Sequence, residues 1–481
     1  MLAVISDLHF EEETSFYLSG DGSAPPLTYQ HNLPATPYRL LVQQLAAEAD
    51  RNKAQKLEFV LAGDIFDLHR SGLWFSANPD GIRPYGTIDQ ALEDETLRIL
   101  AAITEHARVA EVLAIFQLLA AGRYVNENGD ERSFPVPVEL HYLPGNHDRL
   151  ANASPAIRTA VRGALGLSSH GARFANALSF DEERALVRHG QEYDFANFSV
   201  DLRHETSYPT QFPPGYYDNP AFGDFATIDI ASQLPSLFRD IHGEETILAD
   251  ATLRMLYLRL LEFDDLRPLT AIFNYFIYAD GQAVDKDVAW AAIEPVIIAL
   301  LDKIHDDPFL LGWLETFDQP WLDLIDAVQA VLAAKPWRWT SKRLPLELAE
   351  SVASVALRST AKRPSTENYV RRESGIQNGY FRYVIAGHTH TPRISLISND
   401  KLGERYYVDT GTWRNRVLAT YDFEQFGRLK ALNYMIAYGP NEDRGALPPE
   451  RLKIASFDYW SGLTQGWERD SQGFKPLDKQ R

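Results

Sequence analysis

Five short stretches of this chain end in residues that can hold or transfer charge: Asp7 and His9 in SDLHF, Asp64 and Asp67 in GDIFD, Asn146, His147 and Asp148 in GNHD, His189 in RHG, and His388 and His390 in GHTHTP. Together they offer carboxylate and carboxamide oxygens and imidazole nitrogens. Such a mixture suits Mn, Fe or Zn better than Ca or Mg, which favour nearly all-oxygen shells. The 481 residues include no cysteine, so disulfides and thiolate metal sites are excluded and any metal must be held by His, Asp, Glu or Asn. Taken singly the motifs are weak: Asp-x-His recurs within the chain as Asp67-Leu68-His69. The information lies in the ordered set.

The elements that must position these residues are legible as apolar runs. Residues 2–6, 57–63, 138–145, 185–190 and 383–388 are short, rich in aliphatic side chains, and each ends at one of the five stretches. They read as buried strands that deliver polar residues at their C-terminal ends. Helical patterns lie between them, at 36–53 and 87–122, and this alternation predicts a layered α/β (α+β) architecture. Residues 201–380 differ: an aromatic, proline-rich stretch at 208–225 leads into helical segments such as 251–263 and 320–334, with little strand signal. The expected organisation is a core from 1–200, a mainly helical insertion or cap from 201–380, closing strands of the core from 381–440, and a C-terminal extension from 441–481.

Composition narrows the class of protein. A hydrophobic content of 45% suffices for a large core, and no apolar run approaches the length of a membrane helix. The first ten residues lack a basic region and reach an acid at Asp7, so neither a signal peptide nor an anchor is expected, and a cytoplasmic location is. A net charge of −19 disfavours nonspecific binding of polyanions. It leaves room for a small phosphorylated substrate, because bound cations can set the local sign of the field.

The five blocks, Asp-x-His, Gly-Asp-x-x-Asp, Gly-Asn-His-Asp, His-Gly and Gly-His-x-His, stand in the order found in the calcineurin-like metallophosphoesterases, which this sequence resembles over about 1–200 and 380–420. The resemblance implies a four-layer β-sandwich flanked by helices, with the helical insertion outside it. It also implies two divalent metal ions, Mn²⁺ foremost with Fe or Zn as alternatives, and hydrolysis of a phosphomonoester or phosphodiester, with a nucleotide-diphosphate conjugate among the candidates. Carried over by residue, Asp7, His9 and His390 hold one metal, Asn146, His189 and His388 the other, and Asp64 bridges them. A hydroxide held between the metals then attacks phosphorus directly. His147 is expected to protonate the leaving oxygen or stabilise its charge, with Asp148 orienting that imidazole and raising its pKa. Asp67 is expected to order a ligand, and His69 to be an ordinary loop histidine. His189 is preferred over His242, which also precedes a glycine but follows no apolar run.

Further expectations attach to the flanks. In GHTHTP, side chains two apart on extended backbone would point the same way, with Gly387 giving room to turn. Thr412 and Arg414, in the stretch 406–418, are candidates to contact substrate phosphate. Among members of the family the blocks are similar to bacterial enzymes related to the pyrophosphohydrolases of UDP-diacylglucosamine. Those usually carry arginine at the position of His147, so a broader phosphoesterase is expected. A nuclease acting on single-stranded nucleic acid is the alternative, resting on the basic, tryptophan-containing segment 335–343 and on Lys362, Arg363, Arg371 and Arg372. A non-catalytic scaffold is a third reading, which the intact donor set disfavours.

Overall fold

The computed structural model describes residues 1–76, 81–168, 171–267, 275, 286–316, 365–422, 425–442, 456–464, 467–470 and 473–476. The helical segment expected at 320–334, the basic segment 335–343 and Lys362 and Arg363 lie outside the described residues.

The chain opens with β1 (Leu2–Ile5), α1 (Thr36–Arg51), β2 (Leu57–Ala62), α2 (Gln90–Glu105), α3 (Ala107–Ala120), β3 (Val138–Leu143), α4 (Pro155–Leu165), β4 (Ala177–Phe180) and β5 (Ala185–Arg188). After the insertion come β7 (Tyr383–Ala386), β8 (Arg393–Asp400), β9 (Gly403–Asp409), β10 (Asn415–Ala419), β11 (Phe426–Tyr438) and β12 (Ser456–Thr464). A short strand, β6 (Leu266–Arg267), belongs to the insertion, and two small hairpins lie apart from the main sheets. The first sheet runs β3-β2-β1-β11-β10-β6, with β12 also paired to β11; the second runs β8-β9-β7-β5-β4. Within the first, β1, β2 and β3 are parallel neighbours; within the second, β5, β7 and β9 are.

These strands are continuous apolar runs because both of their faces are covered. In β1, Leu2 and Val4 join a cluster that also holds Ala185, Val187, Tyr383 and Ile385 of the second sheet, so the two sheets share one core. Ala3 and Ile5, pointing the other way, pack with α1, α2, α3 and α4. On the second sheet Leu186, Val384 and Ala386 face a third cluster, built with Tyr208, Phe212, Tyr369 and Ile376. The fold is therefore mixed α/β with more than one sheet.

Local chemistry explains the helix limits. In α4, Pro155 opens the helix, the Ser154 hydroxyl accepts from the Ile157 amide at 3.2 Å, and Gly166 closes it at φ 70°. The helical pattern at 87–122 resolves into two helices, because His106 adopts φ −59° and ψ 126° between them.

Two boundaries sharpen. The insertion is woven into the core through β6, which pairs with β10, and residues 366–377 pack under the second sheet through Tyr369, Val370 and Ile376. The C-terminal extension contributes β12, aligned antiparallel to β11 from Ser456 to Thr464.

Candidate metal centre

Each of the first three blocks follows a parallel strand, and the others follow β5 and β7, so the sheet ends bring all five together. The backbone there is unusual. Asp7, His9, Asp64, His388 and His390 have φ between 45° and 70°, five of the eight non-glycine residues with positive φ among those described. A left-handed non-glycine residue costs about 1–3 kcal/mol, and such residues cluster where a side chain must be aimed. His388 and His390 therefore do not lie on extended backbone as the sequence reading supposed. Gly387 serves proximity rather than turning: a Cβ there would collide with the Asp7 carboxylate and with Ser6.

The side chains form two groups. In one, His9 Nε2 lies 2.9 Å from His390 Nε2 and 3.9 Å from Asp7 Oδ1, and His390 Nε2 lies 3.3 Å from Asp7 Oδ1. In the other, Asn146 Oδ1 is 3.2 Å from His189 Nε2 and 2.9 Å from His388 Nδ1. Asp64 stands between them, with Oδ2 3.0 Å from His189 Nε2 and 3.8 Å from His9 Nε2. Donor atoms bound to one cation at about 2.0–2.2 Å are about 3–3.5 Å from each other, close to most of the separations in both groups. Asp7, His9 and His390 can hold a metal ion, and so can Asp64, His189 and His388.

The far nitrogens of the imidazoles are also held. His9 Nδ1 donates to Asp67 Oδ2 at 2.8 Å, His189 Nδ1 to the Ala62 carbonyl at 2.9 Å, and His388 Nε2 to Asp194 Oδ2 at 3.3 Å. Each ring thus keeps its other nitrogen for the centre, the arrangement that fixes tautomer and orientation in metal-binding histidines. The electrostatics agree. Burial opposes charge on His9 and His189, yet Asp67 and Asp7 push the first up to about 10, and Asp64, with Asp7, pushes the second up to about 10. Burial likewise opposes ionisation of Asp7 and Asp64, and the neighbouring imidazoles, His189 foremost, hold both below the usual carboxylate range. The cluster attracts positive charge.

His147 lies beside the first group, its ring centroid 4.8 Å from that of His9, and its amide donates to Asp64 Oδ1 at 2.8 Å. Its orienting partner is not Asp148. Nδ1 of His147 pairs with Asp67 Oδ1 at 2.8 Å, so Asp67 holds His9 with one oxygen and His147 with the other. Burial alone would lower the His147 pKa, and the charges of Asp67 and Asp64 raise it. Asp148 instead accepts from the Ile65 and Asp64 amides at 2.9 and 3.2 Å and from the Tyr142 hydroxyl at 2.8 Å. It fixes the loop carrying Asp64, and burial, with Asp64 beside it, pushes its own pKa up to about 6. The two aspartates differ in where their carboxylates point, which a motif does not reveal.

The candidates for phosphate contact are also corrected. Thr412 is buried and donates to the Asp7 carbonyl at 2.8 Å. Arg414 reaches the edge of the cavity, but its guanidinium is engaged by Asp265 at 2.7 Å and Glu11 at 3.1 Å. His69 is buried 3.3 Å from Asp224, and burial pushes it down to about 4. His242 donates to the Ala292 carbonyl within the insertion, away from the cluster that contains His189.

A cavity of about 450 Å³ opens beside the cluster, lined by His9, Asp64, Asn146, His147, His388 and His390 and by residues of the insertion. The sequence reading missed Tyr193, Phe195 and Asp194, a few residues past His189, and Ala226, Thr227 and Ala231 of the insertion, all of which line it. Proximity to His189 in sequence could have flagged the first three. Among the described residues no helix is long and apolar enough to cross a membrane. No family model, no curated protein and no solved structure matches the chain. What fold and site define is a mixed α/β protein with a buried carboxylate–imidazole cluster able to hold metal.

Proposed function

We propose that the chain is a dinuclear-metal-dependent phosphohydrolase of the calcineurin-like type, its two sheets forming the inner layers of that family's four-layer sandwich. The observation that carries this reading is the convergence of two imidazole-containing donor groups on one carboxylate, Asp64, at the mouth of a cavity. Asp7, His9 and His390 would hold one cation and Asn146, His189 and His388 the other, with Asp64 shared. The donor set fits Mn²⁺, and also Fe or Zn. Bound there, such a pair supplies activated water and neutralises charge growing on a phosphoryl group.

The chain's own residues account for the remaining steps. Asn146 contributes an oxygen without charge, which leaves the centre net positive toward a phosphate. As water adds to phosphorus and the P–O bond to the leaving group breaks, His147 gives its proton to the departing oxygen. With Nδ1 committed to Asp67, Nε2 is the nitrogen that can do so. Asp67 raises the affinity of that ring for its proton and keeps it aligned throughout.

The test is metal analysis together with turnover of bis-p-nitrophenyl phosphate in added Mn²⁺. Two equivalents of transition metal and metal-dependent release of p-nitrophenol are expected. A protein that binds no metal and cleaves neither this ester nor p-nitrophenyl phosphate would refute the reading.

A further inference from the structure

The insertion reaches the cavity through one short segment. A π-helical stretch, Ala226–Ser232, contributes Ala226, Thr227 and Ala231 to the lining. π-helical turns are rare and concentrate at functional sites. This one is closed internally by the Ser232 hydroxyl, which donates to the Thr227 carbonyl at 3.0 Å.

Two buried carboxylates, Asp224 just before the stretch and Asp229 within it, fasten it to the core. Asp224 accepts from Arg149 Nε at 2.7 Å and from the Ala221 amide at 2.7 Å, with His69 at 3.3 Å. Asp229 accepts from Arg83 Nε at 2.9 Å and from the Tyr85 hydroxyl at 2.6 Å. Two further pairs, Arg70 with Asp264 and Arg414 with Asp265, repeat the pattern where the insertion returns to the first sheet. A segment held by charged groups at this burial is a wall, because opening it would strand ions without partners.

The rest of the lining has a definite chemistry. Tyr193, Phe195 and Tyr369 provide aromatic surface, and the Tyr193 ring is fixed by its hydroxyl, which donates to Glu373 at 2.7 Å. Apart from imidazoles, the cations lining the cavity among the described residues reduce to Arg414, already engaged by Asp265 and Glu11, while Asp194 and Asp264 also line it. A cavity of about 450 Å³ lies within the range of small-molecule sites, roughly 300–1,000 Å³.

We infer that this cavity, walled by residues 226–231, binds the organic part of a small phosphoester: one flat, uncharged group about the size of a nucleoside, carrying no second phosphate. Tyr193, Phe195 and Tyr369 offer it aromatic faces, and the small side chains at 226, 227 and 231 leave the space that it fills. A second phosphate would meet the Asp194 carboxylate, and Asp264 only as the ion-pair partner of Arg70. This inference rests on the phosphohydrolase reading and names the substrate class of the same site.

The test uses three p-nitrophenyl diesters with the Mn²⁺-loaded full-length protein: methyl p-nitrophenyl phosphate, thymidine 5′-(p-nitrophenyl phosphate), and the latter with an added 3′-phosphate. The thymidine ester should exceed the methyl ester in kcat/KM by about 10-fold or more, and the 3′-phosphate should remove about 10-fold. Ala226→Phe should reduce the thymidine-to-methyl ratio about 10-fold, chiefly through KM, and Thr227→Ala should change that ratio without the risk of overpacking. Equal rates on the methyl and thymidine esters, or a ratio indifferent to both substitutions, would overturn the wall. Faster cleavage of the 3′-phosphorylated ester would overturn the uncharged ligand. If the wild type cleaves none of the three, and neither bis-p-nitrophenyl phosphate nor p-nitrophenyl phosphate, the phosphohydrolase reading itself falls, an outcome distinct from cleavage without selectivity.

Discussion

On the core side of the cavity Asp7, His9, Asp64, His388 and His390 hold left-handed backbone directly after buried strands, whereas on the insertion side Ala226, Thr227 and Ala231 line it from a helical segment pinned by Asp224 and Asp229. The first construction uses the sheets as a frame: strands covered on both faces cannot shift, so they can hold strained loops and aim side chains to a fraction of an ångström. The second uses ion pairs between elements distant in sequence, which set the shape of a surface rather than the position of a donor atom. On the proposed function, chemistry and selectivity are thus assigned to different kinds of structure, and substitutions should separate them.

The largest effect is expected at the carboxylate shared by both donor groups. Asp64→Asn should lose metal binding and activity together, with turnover reduced by about 10³-fold or more. Elemental analysis of the purified variant checks this, and a protein that keeps two equivalents of metal would show that the core side is not organised around Asp64.

Next come Asp67, which holds His9 and His147, and Asp148, which takes a role other than the one expected of it. His147→Ala and Asp67→Asn should each lower kcat about 100-fold, and His147→Ala should keep both metals. Asp148→Ala should act through folding instead. It leaves the buried Ile65 and Asp64 amides and the Tyr142 hydroxyl without their acceptor, at a cost of about 3 kcal/mol in urea unfolding. A kcat defect in Asp148→Ala at unchanged stability would restore Asp148 as the partner of His147.

On the insertion side, Asp224→Ala removes the carboxylate partner of Arg149 and leaves its largely buried guanidinium with only the Asp218 and Pro84 carbonyls, so a loss of about 2–3 kcal/mol is expected in the same unfolding experiment, with metal content preserved. Loss of metal from this variant would mean that the two sides are not separable.

The same contrast explains what was legible in the sequence. The five strands and their polar ends could be read because each is a contiguous run whose last residues carry the function. All seven donor residues expected at the centre do converge. The partners of Arg414 and Asp148 are not legible in the sequence, because a motif gives position in the chain and not the direction of a side chain. Arg414 faces Glu11 and Asp265, partners hundreds of residues away in one case, and no local pattern announces them. The wall at 226–231 is still less visible: alanine and threonine in a helical segment look ordinary until the fold sets them beside Asp64. Aspartates 224, 229, 264 and 265 read as surface charge, since nothing in their neighbourhood names Arg149, Arg83, Arg70 or Arg414.

The smallest effect lies at the seam between the two sides, where His31 joins Glu11 of the core, 2.8 Å from Nδ1, to Asp265 of the insertion, 2.9 Å from Nε2. Burial opposes charge on this imidazole and Arg414 adds to the opposition, but Glu11 and Asp265 outweigh both and push it up to about 9 from the usual 6.5. A group whose pKa is raised by folding stabilises fully below its unfolded value and loses that contribution as pH rises through the folded one. Wild-type stability should therefore fall by about 1–2 kcal/mol between pH 6.5 and pH 9, beyond the drift of a His31→Gln variant, which has no proton to lose there. Urea unfolding at half-unit pH intervals measures the difference. If the two proteins decline in parallel, the seam is held without a charged imidazole, by the arginine pairs and the β6–β10 pairing.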